Sequence, residues 1–119
     1  NGTTWTARTS DVSQALNGIA YDDGMWVAVG DSGTILTSTD GISWTSRFSG
    51  TTWDLYGVAY GGGMWVAVGN SGRILTSTDG ISWTSRTSGT THHLNGIAYH
   101  DGMWVAVGSD GTIIGTVPL

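Results

Sequence analysis

The chain repeats one phrase three times. Leu16, Leu55 and Leu94 stand 39 residues apart, as do Met25, Met64 and Met103, and as do Trp5, Trp44 and Trp83. A fixed period near 40 residues marks a repeat architecture, in which no unit buries its apolar surface alone and stacked neighbours make the core together.

Each unit reads as strands. The 119 residues hold 20 glycines, 31 serines and threonines and 7 tryptophans, with no lysine, glutamate or cysteine. β-Branched and aromatic residues punctuated by glycine favour short strands and tight turns. Good helix formers are scarce. The unit Leu16–Asp54 predicts four strands, Leu16–Tyr21, Met25–Val29, Thr34–Ser38 and Ile42–Ser46, followed by a linker from Arg47 to Asp54. Asp-Gly and Ser-Gly pairs between them suit hairpin turns.

The second strand, Met-Trp-Val-Ala-Val, is continuously apolar in all three units. Such a strand is buried on both faces. Four-stranded antiparallel sheets covered on both sides are the blades of a β-propeller. The expected fold is therefore all-β, one domain spanning 1–119 with repeats 16–54, 55–93 and 94–119. The segment 1–8 aligns with Asp40–Arg47 and is expected to supply the fourth strand of the last repeat. Pro118 would stop the strand that precedes it. Natural propellers typically close with at least four blades, so three call for association of chains.

Ser38-Thr-Asp-Gly-Ile-Ser-Trp44 and Ser77-Thr-Asp-Gly-Ile-Ser-Trp83 resemble a shortened Asp-box, the turn of bacterial sialidase-like and related propellers. The usual spacing puts one residue between Asp and Gly; here they adjoin. The third copy is split and keeps Gly2 and Trp5. The resemblance implies a folding role: Ser38, Asp40 and Gly41, with Ser77, Asp79 and Gly80, build the turn, while Trp44 and Trp83 pack between sheets. It also implies secreted or cell-surface bacterial relatives. Sialidase chemistry needs an arginine cluster, a tyrosine nucleophile and a carboxylate partner. Arg8, Arg47 and Arg86 sit at equivalent places in different units, so they reflect repetition. Trp26, Trp65 and Trp104 read as packing residues between blades.

Function classes narrow further. Nine Asp against four Arg give a net charge of -5, which disfavours nucleic acid and anionic membranes as partners. No apolar run approaches a membrane span. Without cysteine there are no disulfides or thiolate metal sites. No cofactor motif and no catalytic constellation emerges, so no enzyme activity is expected.

Departures from the repeat locate a candidate binding face. Trp53, Asp54, Arg73, His92 and His93 fall in the linkers and the second-to-third-strand turns, which share one end of a propeller. A tryptophan beside polar groups there suits a sugar, making a lectin-like or protein-binding module the alternative function. Asp22-Asp23, His100-Asp101 and the His92-His93 pair lack the ligand number of a dedicated metal site, so no metal is expected. The main expectation is a self-assembling structural propeller, similar to designed or reconstructed symmetric propellers, closing as a nine-bladed homotrimer or, failing that, a six-bladed homodimer.

Overall fold

A computed structural model describes residues 4–116. Asn1, Gly2, Thr3 and Pro118, for which roles were expected, lie outside the described residues. The first antiparallel sheet contains β1 (Leu16–Asp22), β2 (Met25–Gly30), β3 (Ile35–Ser38) and β4 (Thr45–Arg47). The second contains β5 (Leu55–Gly61), β6 (Met64–Gly69), β7 (Ile74–Ser77) and β8 (Thr84–Arg86). The third contains β9 (Leu94–His100), β10 (Met103–Gly108) and β11 (Ile113–Gly115). In each, the strands follow one another in chain order across the sheet. The architecture is all-β, with propeller-like blades. Two sheets have four strands and the third has three among the described residues.

The fourth strands are shorter than the sequence suggests and start later, leaving Trp44 and Trp83 outside them. The turn is the reason. Asp40 Oδ1 accepts from the Ile42 and Ser43 amides at 2.8 and 3.0 Å, and Ser38 Oγ accepts from the Gly41 amide at 2.8 Å. Those amides are committed to the turn, so they are lost to the ladder. Asp79 and Ser77 repeat every one of these bonds. The amides of Ser43 and Ile42, with the Ser38 hydroxyl, hold the Asp40 carboxyl below its ordinary value of 3.8. The Ser82 and Ile81 amides and the Ser77 hydroxyl do the same for Asp79.

The sheets approach most closely along β1, β5 and β9. Glycine makes that approach feasible. A Cβ on Gly18 would lie 2.9 Å from the Tyr56 carbonyl, and one on Gly57 would lie 3.2 Å from the Asn95 carbonyl. Farther out, two apolar seams join the sheets. Val27, Val29 and Ile35 of the first meet Leu55, Val58, Trp65, Ala67 and Leu75 of the second. Val66 and Val68 of the second meet Leu94 and Ala106 of the third. The two seams use opposite faces of β6, which is why its sequence does not alternate. Tyr60 lies against Trp65 with ring centroids 4.9 Å apart, and the Tyr21–Trp26 and Tyr99–Trp104 pairs repeat the arrangement at 4.7 and 4.9 Å.

Candidate functional site

Two kinds of surface stand out: the free faces of the first and third sheets, and the end that carries the linkers. The free faces follow from the repeat. Each seam has two halves, one donated by the earlier sheet and one by the later. On the outward half of the first sheet Leu16, Ile19 and Tyr21 are exposed and Trp26 is half-buried, while Ala28 and Leu36 are buried. On the outward half of the third sheet Met103, Val105, Val107 and Ile113 are exposed. Ile113 reaches 73% exposure where Ile35, two repeats earlier, has 1%. A hollow of about 340 Å³ on the first sheet, lined by Leu16, Ile19, Ala28, Leu36 and Trp44, is bordered by Arg8 and Ser10 of the incoming segment.

At the linker end, the five residues singled out by sequence do not form one site. Asp54 Oδ1 accepts from the Ser32 amide at 2.8 Å, tying the linker that leaves the first sheet to that sheet's second-to-third-strand turn. His93 Nδ1 accepts from the Ser71 amide at 3.0 Å in the repeat-equivalent place. That bond requires Nδ1 to be unprotonated. Both amides belong to residues in the left-handed region, Ser32 at φ 60° and Ser71 at φ 56°. Serine rarely adopts that conformation, and the capping bonds help hold it. His92 Nδ1 instead lies 3.2 Å from the Asp110 carboxylate. Only Trp53 and Arg73 meet: the guanidinium sits 5.5 Å from the indole centroid, a cation–π pair. Beside it runs an open groove lined by Phe48, Gly50, Thr51 and Thr52.

The turn and packing residues divide as well. Trp65 is enclosed, and Trp83 packs against the first seam with its Nε1 donating to the Gly80 carbonyl at 3.0 Å. Trp104 packs in the second seam. Trp5 is 90% exposed, and Thr4–Arg8 lies outside any strand of this chain. Arg47 and Arg86 donate from Nε to Thr37 and Thr76 within their own sheets, each at 2.9 Å, so each braces its own blade. No group of three or more metal-ligating side chains occurs among the described residues.

No protein-family model matches the chain, and no curated protein matches it. Among solved structures, the chain is similar to an exo-1,5-alpha-L-arabinanase from a bovine ruminal metagenomic library. The match has 14% identity and a TM-score of 0.46, and covers 90% of this chain and 57% of that one. The chain thus spans a little over half the length of that structure.

Proposed function

We propose that this protein is a structural module that assembles with copies of itself into a closed β-propeller, without catalytic activity. The observation behind this reading is the match between the free faces and the internal seams. The exposed Met103, Val105, Val107 and Ile113 repeat Met25, Val27, Val29 and Ile35, while the exposed Leu16 and Ile19 and the half-buried Trp26 repeat Leu55, Val58 and Trp65. A second copy placed head-to-tail would recreate a seam the chain already makes twice. Burying each large apolar side chain contributes about 1.5–3 kcal/mol. A head-to-tail contact closes into a ring when its rotation divides a full turn. The short side chains of the inner strands suit a wide ring, so the ring proposed is a nine-bladed homotrimer.

Sedimentation velocity tests the reading. The wild-type chain is expected to sediment as an oligomer, and Val107→Asp, which puts a charge on the free face of the third sheet, as a single chain. A wild type that sediments as one 12.4 kDa chain overturns it.

The Trp53–Arg73 pair favours a second reading, a lectin-like site for an acidic sugar, repeated around the ring and so gaining avidity. A glycan array read against Trp53→Ala tests it: binding abolished by the substitution supports it, and no binding to any glycan counts against it.

A further inference from the structure

The seam between the second and third sheets lacks one part that the earlier seam has. At the earlier seam, Trp83 packs against the cluster that includes Val27, Ile35, Val58, Trp65, Ala67 and Leu75. The repeat equivalents of those six residues are Val66, Ile74, Ile97, Trp104, Ala106 and Ile114. Together they line an open groove of about 240 Å³. The earlier seam has an indole where this one has a hollow. Trp5 is the repeat counterpart of Trp83 and stands 90% exposed.

We infer that this groove is a socket for Trp5 of a second copy, and that Thr6–Arg8 of that copy adds to β11 as its missing neighbour. The inference rests on the self-assembly reading and names which segment crosses between copies. The incoming segment is already shaped for the task. Ser10 Oγ accepts from the Val12 amide at 3.3 Å, the same small turn that Ser49 makes with Thr51 at 3.3 Å and Ser88 with Thr90 at 3.2 Å. In the other two units this turn directs the chain from the fourth strand of one sheet into the first strand of the next. Before the first sheet the same turn follows Thr6–Arg8, and Arg8 and Ser10 border the hollow on that sheet's outward face.

The internal blades also fix the register. Ile35 pairs with Arg47 and Leu36 with Ser46, while Ile74 pairs with Arg86 and Leu75 with Ser85. By the same rule Arg8 faces Ile113, Ala7 faces Ile114 and Thr6 faces Gly115 across the junction. A strand added to an exposed edge gains main-chain hydrogen bonds, and a pocket for an alternate side chain gives it specificity. The added strand also covers an edge that would otherwise template aggregation.

The chain contains no cysteine, so a designed pair reads the contact cleanly. The full-length variant Ala7→Cys with Ile114→Cys is oxidised at a concentration where the wild type is assembled, then examined on a denaturing gel. Chains joined to one another by disulfides are the expected result. Ala7→Cys with Ile113→Cys, one residue out of register and so on opposite faces, is expected to stay unlinked. A link within a single chain overturns the inference. So does the absence of any link while the wild-type oligomer persists, a result that leaves self-assembly itself standing. In a second measurement, Trp5→Ala is expected to raise the concentration for half-assembly by at least about tenfold, with Trp5→Phe restoring part of the loss. An unchanged half-assembly concentration for Trp5→Ala counts against the socket.

Discussion

β6 and β10 have the same sequence, Met-Trp-Val-Ala-Val-Gly, and sit in opposite surroundings. Val66 and Val68 are 4% and 0% exposed, whereas Val105 and Val107 are 36% and 47% exposed. The strand itself is not what differs. β6 has a sheet on either side and β10 has one. In a stacked repeat each unit owns half of two seams, and stability is close to a sum of units and nearest-neighbour terms. The outward faces of the first and third sheets therefore each repeat, by sequence, one half of the internal seams.

The sharpest break of this comparison comes from its largest side chain. Trp65→Ala removes an enclosed indole and is expected to cost about 3–5 kcal/mol of chain stability by denaturant unfolding. Trp26→Ala, the same residue one repeat earlier, is expected to cost far less in the dilute single chain and to weaken assembly instead. Equal losses for the two would mean that the free face is not a seam.

Glycines of the inner strands give the next largest contrast. Gly57→Val drives side-chain atoms toward the Asn95 carbonyl and Gly96 Cα, and overpacking of this kind costs about 1–3 kcal/mol. A Cβ on Gly96 meets only the end of the Val107 side chain, at 3.3 Å. Gly96→Val is expected to leave thermal unfolding of the dilute chain nearly unchanged and to block the oligomer, as seen by sedimentation. Loss of the chain's own fold in Gly96→Val would contradict the comparison.

A smaller effect concerns acid. Asp40 and Asp79 have lowered folded values, so their charged forms stabilise the turns above the ordinary carboxylate value of 3.8. That contribution is lost as pH falls below 3.8 through the lowered value. Asp40→Asn with Asp79→Asn keeps an acceptor oxygen and removes the titration. Circular dichroism melts are expected to show less loss of stability on acidification in the double variant than in the wild type.

The smallest expected effect is a gain. The first two sheets have Thr37 and Thr76 as acceptors for Arg47 and Arg86, where the third has Gly115. Gly115→Thr would offer Arg8 of a neighbouring copy the same bond, contributing about 0.5–1.5 kcal/mol to the junction. A modest fall in the half-assembly concentration is the measurable outcome.

Much of this organisation was legible from a single spacing. The period of 39 residues and the unbroken apolar run after each Met located the sheets and β6, buried on both sides, whereas β10 with the same run is open on one face. The fourth strands were placed too early because Ile42 and Ser43 look like strand residues, and nothing local reveals that their amides bond to Asp40. The linker-end cluster dispersed for a different reason. Asp54 and His93 each act on a residue 22 positions earlier, in the second-to-third-strand turn of the sheet their linker leaves. The constant offset of Asp54 from Ser32 and of His93 from Ser71 was the available signal, and it points to turn capping, not to a ligand. The Trp5 socket was half legible: alignment placed Trp5 with Trp44 and Trp83, but only the folded seams reveal which groove lacks its indole.

A native mass spectrum of the wild-type chain tests the central claim most directly. Head-to-tail closure at nine blades predicts one dominant particle of three 12.4 kDa chains, persisting on dilution until all three separate. A particle of two chains would contradict the nine-bladed ring, and a single chain at every concentration would contradict closure itself.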